Sequence, residues 1–245
     1  MTPELFRARA CLPEFKRILV DAQRLIQRGL DVCQCPYVSF SGGKDSSVVL
    51  HLCRQARSDM PALFSDDEWL LPETELLIRE TPNLRRVARA LEHAAFFTSY
   101  AAGKPDQLPA GAEWIDGSRW RWARDELGYD AVFMGLRADE NARRRLHLRT
   151  HGPCFFSREH QMWHINPITR WSVMDVWTYI HACAVPYNAA YDVLTRLGIP
   201  LEQQRIGPLA VERVLGYGQL AILKRGWPDL FNRFAAAYPE VRAYV

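Results

Sequence analysis

Six consecutive residues, Ser41-Gly-Gly-Lys-Asp-Ser46, constrain the fold of this chain more than any other feature. They follow a short β-branched and aromatic run, Tyr37–Phe40, and lead into a segment with helical periodicity, Asp45–Arg57. This order predicts a buried strand, a tight turn and a helix that has Asp45 or Ser46 near its N-cap. The glycines permit backbone angles that other residues avoid, so the turn can approach an anion closely. Turn amides and the positive end of the helix dipole then favour a phosphate group at this corner.

The side chains of this loop also suit a phosphate group. Lys44 supplies a positive charge, and the hydroxyl groups of Ser41, Ser46 and Ser47 are further hydrogen-bond donors. A carboxylate such as that of Asp45 is unfavourable beside an anion unless it binds a metal ion, accepts a backbone hydrogen bond or helps to polarise the attacked phosphate. The loop is not of the GxxxxGK(S/T) type, because the first glycine is missing. The alternative interpretation is a strand-turn-helix corner whose glycines bind nothing, and the match of all six residues in this context disfavours it.

Strands and helices alternate along the chain, which predicts an α/β fold with a doubly wound, mainly parallel sheet. Residues 1–192 are predicted to form a nucleotide-binding domain with an N-terminal helix, and residues 193–245 a helical C-terminal extension of the same domain. The third strand is predicted at either 84–92 or 94–99. The other predicted strands are 37–40, 62–64, 131–134 and a short extended piece at 164–167. The predicted helices are 13–30, 45–57, one starting at Pro72, 119–127, one starting within 137–149, and 172–183. Gly29 is the predicted stop of the first of these helices.

Three candidate pieces of a binding site follow predicted strands. They are Ser41–Ser46, Asp66–Asp67 and Gly135–Arg137. Because the carboxyl ends of parallel strands meet at one edge of a sheet, and ligands bind at that edge, we expect the three pieces to converge. This agreement predicts a ligand site more strongly than any one of the pieces does.

The charge, the apolar runs and the cysteines of the chain indicate its expected location and binding partners. The net charge of +3 is small and does not by itself indicate nucleic acid. No stretch approaches about 18 apolar residues, so no membrane segment is expected, and a cytoplasmic location with reduced thiols follows as an expectation. Arginines cluster locally, either on solvated helix faces or at anion sites. The clusters are Arg137, Arg143, Arg144, Arg145 and Arg149, and Arg119, Arg121 and Arg124.

The segment Val38–Leu52 resembles the PP-loop of the phosphoadenylyl-sulfate (PAPS) reductase family. That family is related to the small subunit of bacterial ATP sulfurylase and to the DNA-phosphorothioation ATP pyrophosphatases. Later motifs of the family occur in the same order, so that the resemblance spans roughly residues 37–192. These motifs are Phe64–Asp67 with Pro72–Thr74, Gly135–Glu140 with Arg143, Asn166-Pro167, Trp171, Asp175–Trp177, Tyr179-Ile180 and Pro186–Asn188.

The resemblance implies a PP-loop, adenine nucleotide alpha-hydrolase-like fold and ATP or PAPS as the ligand. Asp66 would lie near the ribose or adenine, while Arg137 and Arg143 would bind the phosphate or sulfate end. Mg²⁺ is expected to neutralise a triphosphate. Trp171, Asp175 and Trp177 are interpreted as packing residues of a core helix. The implied nucleotide-binding residues are Ser39, Ser41, Gly42, Gly43, Lys44, Ser46, Ser47, Asp66, Gly135, Arg137 and Arg143; the catalytic candidates are Lys44, Asp45 and Arg137; the candidate Mg²⁺ ligands are Asp45, Asp66 and Glu140.

The cysteines depart from the family pattern. PAPS reductases take up the sulfonate group on the thiol of a C-terminal Glu-Cys-Gly-Leu-His motif, whereas no cysteine follows Cys183 in this sequence. Arg205-Ile-Gly-Pro208 falls where relatives often have Gly-Cys, and Ala138 replaces the second arginine of the Gly-x-Arg-Arg segment. No Cys-x-x-Cys pair is present, so no iron–sulfur cluster is expected.

Three functions are consistent with these observations. The first is an ATP pyrophosphatase or adenylyltransferase in sulfur transfer or nucleic-acid modification, with a sulfur-carrier or effector protein as partner. The second is a PAPS reductase-like enzyme that uses a partner's thiol. The third is a nucleotide-binding subunit without turnover. The arginine clusters are compatible with a nucleic-acid backbone and equally with nucleotide phosphates, and a homo-oligomer is compatible with all three.

Overall fold

The computed structural model describes residues 2–66, 69–89, 112–115, 118–206, 218–237 and 239–245. Within these ranges, no helix is long and apolar enough to cross a membrane. The strands are β1 (Pro36–Phe40), β2 (Ala62–Asp66), β3 (Leu84–Arg89), β4 (Ala112–Ile115), β5 (Ala131–Phe133), β6 (Cys154–Ser157) and β7 (Met162–Ile165). The helices are α1 (Pro3–Ala10), α2 (Pro13–Asp31), α3 (Lys44–Ala56), α4 (Pro72–Glu80), α5 (Arg119–Leu127), α6 (Ala142–His151), α7 (Val173–Ala182), α8 (Ala190–Arg196), α9 (Gln219–Gly226) and α10 (Pro228–Ala237), followed by a 3₁₀ helix (Pro239–Tyr244).

The strands form one sheet in the order β4-β3-β2-β1-β5-β7-β6. Strand β1 pairs in parallel with β2 and with β5, and β5 pairs in parallel with β7. The pair of β3 and β4 is also parallel, whereas β6 and β7 form an antiparallel hairpin. The central strands β1 and β5 are buried except for Ser39 of β1, which explains why their other residues are apolar. The α/β fold with a mainly parallel sheet, predicted from the sequence, is therefore confirmed.

The chain divides into two compact units. Helix α4 and the C-terminal helices belong to the second unit, where the indole Nε1 of Trp227 donates to Glu73 Oε2 at 2.9 Å and the rings of Trp69 and Phe234 meet edge to face. The described part of the C-terminal region contains helices Ala190–Arg196, Gln219–Gly226 and Pro228–Ala237, separated by turns; the boundary at residue 192 and the assignment to one domain stay predictions. The first unit comprises Met1–Phe64, Thr81–Arg85 and Gly117–Tyr187, and the second Ser65–Glu80, Arg86–Asp116 and Asn188–Val245.

Helix α2 corrects one prediction about a glycine. Gly29 was expected to stop the helix, but α2 continues to Asp31. A Cβ atom at Gly29 would lie 2.8 Å from the ring of Phe133 and 2.9 Å from Ile165. The glycine therefore serves the close approach of α2 to the sheet, and a periodicity pattern does not distinguish this role from a helix end.

Other elements also differ from the sequence predictions. The N-cap of α3 is Gly43, not Asp45 or Ser46, so the charged end of the loop already belongs to the helix. Strands β4 and β6 were not among the predicted strands. The third strand lies at Leu84–Arg89; the alternative at 94–99 falls outside the described residues.

Helix α7 begins with a capping box at Ser172. The Ser172 Oγ accepts a hydrogen bond from the Asp175 amide, and Asp175 Oδ2 accepts one from the Ser172 amide at 2.9 Å. The other carboxylate oxygen of Asp175 pairs with Arg9 of α1 at 2.8 Å. Trp171 and Trp177 are buried. These contacts support the interpretation that Trp171, Asp175 and Trp177 are packing residues.

A cluster of imidazole and aromatic rings packs the β6–β7 hairpin against the neighbouring helices. His164 of β7 is buried, and its ring stacks with those of His160 and Phe155 at centroid distances of 5.1 and 5.2 Å. The ring of Trp120 in α5 lies 4.5 Å from that of His160. Burial, and secondarily the neighbouring His160 and His147, lower the pKa of His164 from 6.5 to about 4.

Acid should therefore destabilise the protein through His164. The unfolded chain takes up a proton near pH 6.5 and the folded chain only near pH 4, so stability is lost as the pH falls through this window. The full difference corresponds to about 3 kcal/mol. Urea unfolding at a series of pH values should show a smaller loss for His164→Phe, which keeps the stacked ring without the titration. Equal losses in the two proteins would contradict the assignment.

Candidate nucleotide site

The predicted phosphate loop connects β1 to α3 as a tight turn. Strand β1 ends at Phe40, and α3 starts at Lys44. Gly42 has a φ of 70°, a left-handed conformation that favours glycine. The first amide of α3 bonded to the turn is that of Ser47, which donates to the Gly43 carbonyl at 3.0 Å. The amides of Asp45 and Ser46, which precede it, have no acceptor within the helix and point the positive end of the dipole at the turn.

Serine hydroxyl groups hold the loop in shape. Ser46 Oγ donates to the Gly43 carbonyl at 2.9 Å and accepts from the Ser41 amide at 3.2 Å. Ser47 Oγ also donates to the Gly43 carbonyl, at 3.2 Å, and Ser41 Oγ lies 3.1 Å from Ser46 Oγ. These three hydroxyl groups were predicted to bind phosphate. In this structure they brace the backbone that would do so.

Two buried cations and one carboxylate form the charged centre of the site. Asp45 Oδ1 accepts from Arg137 Nε at 2.6 Å, and Asp45 Oδ2 lies 3.3 Å from Lys44 Nζ. The side chains of Lys44 and Arg137 are each only 6% exposed. Burial lowers the pKa of Lys44, although the nearby Asp45 opposes this shift. Sequence reasoning placed these three residues in one site, and the structure brings them into direct contact.

Arg137 is held through its guanidinium group and through its backbone amide. Its Nη1 donates to the Trp171 carbonyl at 3.4 Å, and its own amide donates to Glu140 Oε2 at 3.1 Å. The same Glu140 oxygen pairs with Arg144 of α6. The start of α6 is therefore tied to the loop that carries Arg137. A guanidinium group held in this way is preorganised for a phosphate oxygen.

Gly135 lets the end of β5 approach the start of α3. A Cβ atom at this position would lie 2.8 Å from the Asp45 carbonyl carbon and 2.9 Å from the Ser46 amide nitrogen. The clashing atoms belong to backbone, so they could not give way without moving the loop. Gly135 was predicted to bind nucleotide; the structure gives it a spacing role beside the loop.

Three predicted site residues have no described contact with the charged centre. Ser39 lies within β1, two residues before Ser41, and is partly exposed. Asp66 is the last residue of β2, and its side chain, like the whole of Asp67, lies outside the described part of the structure. Arg143 is exposed on α6 and forms no ion pair among the described residues. The binding roles of Ser39, Asp66 and Arg143 stay predictions.

Two residues outside the predicted set of site residues have surroundings that the sequence did not indicate. Arg144, next in sequence to the predicted Arg143, makes the ion pair with Glu140, and an i, i+4 spacing from Glu140 was the available signal. Asn166 follows β7 and is fully buried, and neither atom of its side-chain amide has a partner among the described residues. No signal beyond the Asn-Pro pair pointed to this amide.

The described carboxylates do not fit direct coordination of Mg²⁺ well. Both oxygens of Asp45 face cationic side chains, and Glu140 pairs with Arg144. A cation between Asp45 and its partners would have to displace one of them. No cluster of three or more histidine, cysteine or acidic residues suited to a metal occurs within the described ranges. We therefore assign no step to a metal held by these two residues.

Four of the thiol groups in this structure have raised pKa values. Burial raises the pKa of Cys33 to about 12 and also raises those of Cys53, Cys154 and Cys183. A nucleophilic thiol needs a lowered pKa, because the thiolate is the reacting species. Gly207 and Pro208, which fall at the expected Gly-Cys position, lie outside the described residues.

The loop lies within a segment that matches a known protein family. The family model for the phosphoadenosine phosphosulfate reductase domain matches residues 35–198. A phosphoadenosine 5'-phosphosulfate reductase of Xanthomonas campestris pv. campestris (strain B100) is 32% identical over 164 residues, which cover 63% of this chain and 65% of the relative. Sulfate adenylyltransferase subunit 2 1 of Alkalilimnicola ehrlichii is 28% identical over 193 residues, which cover 64% of this chain and 57% of the relative.

The matches therefore span less than two thirds of the length of these relatives. Among solved structures, the phosphate complex of phosphoadenylyl-sulfate reductase from Candida auris has the same fold, with a TM-score of 0.53 and 19% identity. That similarity covers 77% of this chain and 88% of the Candida protein.

Proposed function

Because the chain belongs to the phosphoadenosine phosphosulfate (PAPS) reductase family, we propose that it binds ATP at the loop between β1 and α3 and cleaves it between the α and β phosphates. An acceptor oxygen attacks the α phosphorus, and the bridging oxygen leaves with pyrophosphate. The product is an adenylylated acceptor, or AMP when the acceptor is water. In this scheme Lys44 and the first amides of α3 bind the phosphates, and Arg137 stabilises charge as it develops.

The observation that carries this proposal is the buried contact of Lys44 and Arg137 with Asp45. Two cations with 6% exposed side chains beside an open helix N-terminus make a strong anion site, because buried charges act through a low effective dielectric. Asp45 pairs with both cations in this structure, and a nucleotide phosphate would replace the carboxylate as their partner. Catalysis at such a site depends on positioning and on charge stabilisation.

Two further observations favour ATP cleavage over reduction by a thiol of this chain. Four of the thiols have raised pKa values, which does not suit a nucleophile that accepts a sulfonate group. One relative is named as a subunit of a sulfate adenylyltransferase, and adenylyl transfer from ATP requires cleavage between the α and β phosphates. A partner protein that supplies sulfur or binds the adenylylated product would fit this scheme.

The second candidate function is binding of PAPS, with the thiol supplied by a partner protein. It is favoured by relatives named as PAPS reductases with 30 to 32% identity. The same anion site would then hold the phosphate or sulfate end of PAPS. A nucleotide-binding subunit without turnover is the third candidate, and it would use the same loop.

The test is a product analysis with ATP labelled at the α phosphate, in the presence of Mg²⁺ and with or without sulfate. We expect labelled AMP or adenylyl-sulfate together with pyrophosphate, and a loss of at least about 100-fold in rate for Lys44→Ala. Arg24→Ala is a matched control, because it removes an exposed cation of α2. Labelled ADP would refute α–β cleavage, and intact ATP together with tight binding of PAPS would favour the second candidate.

A further inference from the structure

The net positive charge of helix α6 exceeds that of the whole chain. Its ten residues include four arginines and no acidic residue, whereas the formal net charge of the chain is +3. Of this helix, Leu148 is the buried residue, so most of its side chains face solvent. Charge at this density attracts polyanions. The arginines are Arg143, Arg144, Arg145 and Arg149.

Three of these arginines are open to an external anion. Among the residues that the structure describes, Arg143, Arg145 and Arg149 form no ion pair. A surface arginine normally gains little from a partner and loses little without one, but a row of them binds phosphates together. Arg145 and Arg149 are four residues apart, so they lie on the same flank of the helix.

The opposite flank of α6 carries rings. His147 and His151 are also four residues apart, and their exposed rings are 4.8 Å apart between centroids. Phe155 of β6 lies 5.0 Å from His151 and 5.6 Å from His147. Leu146, which is 59% exposed, lies on the outer face between the two flanks. Unpaired bases stack on exposed rings of this kind, and a strand that crosses the outer face of α6 would place its phosphates on the flank that carries the arginines.

We propose that α6 binds single-stranded nucleic acid, with phosphates on Arg145 and Arg149 and bases against His147 and His151. An acidic protein would use the arginines but would gain nothing from the two rings. A duplex would present phosphates but no base faces. The rings of His147, His151 and Phe155 therefore favour a single strand over the other polyanions.

A strand bound to α6 would lie beside the candidate nucleotide site. Glu140 joins the two, because its carboxylate pairs with Arg144 and accepts the Arg137 amide. Helix α6 begins two residues after Glu140. The binding itself requires no ATP, so this inference stands or fails separately from the proposed nucleotide chemistry.

The test is fluorescence anisotropy with a labelled oligothymidylate of about 12 nucleotides, without ATP. The two phosphate contacts at Arg145 and Arg149 predict an affinity that falls roughly 7-fold between about 50 and about 200 mM salt. The double variant Arg145→Gln/Arg149→Gln should weaken binding and lower the slope of log K against log salt by about 1.4. The variant His147→Ala/His151→Ala should weaken binding about 10-fold with the salt slope unchanged.

The matched control is Arg17→Gln/Arg24→Gln, which removes the same charge from exposed positions of α2. It should leave binding unchanged. Three outcomes would overturn the inference: no binding by the folded protein at low salt, an equal loss from the α2 variant, or equally strong binding of polyglutamate or of a duplex of equal charge.

Discussion

Replacing Arg137 by methionine should lower both the stability of the protein and its turnover of nucleotide. Methionine keeps much of the volume but leaves Asp45 facing Lys44 alone, in a place where its side chain is only 17% exposed. Loss of one partner from a buried pair costs about 3 kcal/mol, and loss of a preorganised cation costs about 100-fold to 1,000-fold in rate. Urea unfolding and product formation from labelled ATP would measure the two effects.

A second substitution separates the stability effect from the catalytic effect. In the double variant Arg137→Met/Asp45→Asn the uncompensated carboxylate is gone, so part of the lost stability should return. The rate should stay low, because the cation that stabilises developing charge is still absent. If the double variant lost the sum of the two single effects on stability, Arg137 and Asp45 would not be coupled as their 2.6 Å contact indicates.

Gly135→Ala should weaken nucleotide binding strongly, although it adds only one methyl group. The new Cβ would lie 2.8 Å from the Asp45 backbone, so the start of α3 and the phosphate loop must shift. Overpacking of this kind costs about 1 to 3 kcal/mol of stability, and displacement of the loop amides should cost at least about 10-fold in affinity. Calorimetric titration with a non-hydrolysable ATP analogue, beside urea unfolding, would measure both.

Gly29→Ala is the matched control for this substitution. Its Cβ would also meet an atom at 2.8 Å, but that atom belongs to the ring of Phe133, away from the loop. We expect Gly29→Ala to be destabilising and to leave nucleotide affinity nearly unchanged. Equal affinity losses in the two variants would mean that general destabilisation, not displacement of the loop, weakens binding.

The sequence predicted the centre of the fold because local and long-range signals agree there. Residues 37–40 are buried except for Ser39, and the two glycines that follow them are typical of a tight turn. Helix α7 was predicted for the same reason, since its capping box and its apolar spacing coincide. The contact between Lys44, Asp45 and Arg137 followed from the rule that carboxyl ends of parallel strands share an edge.

Other features depend on contacts between distant residues that no local pattern contains. Gly29 and Gly135 are glycines because of atoms more than 80 residues away in sequence, at Phe133 and Asp45 respectively. The serine hydroxyl groups bond to the loop itself, although their residue type suits a ligand equally well. Which of Arg143 and Arg144 turns towards Glu140 depends on where α6 begins, and boundaries are the least certain part of a periodicity pattern.

The pairing of Asp45 with two cations also limits what the site can neutralise. Lys44, Arg137 and Asp45 together have a formal charge of +1, and the more exposed Asp139, whose Oδ2 lies 3.4 Å from Arg137 Nη1, lowers the positive charge further. The helix terminus adds about half a charge. A triphosphate is far more negative than the site is positive. A nucleotide triphosphate should therefore enter with its own counter-cation, and selectivity between mono- and polyphosphates should depend on the cations in solution.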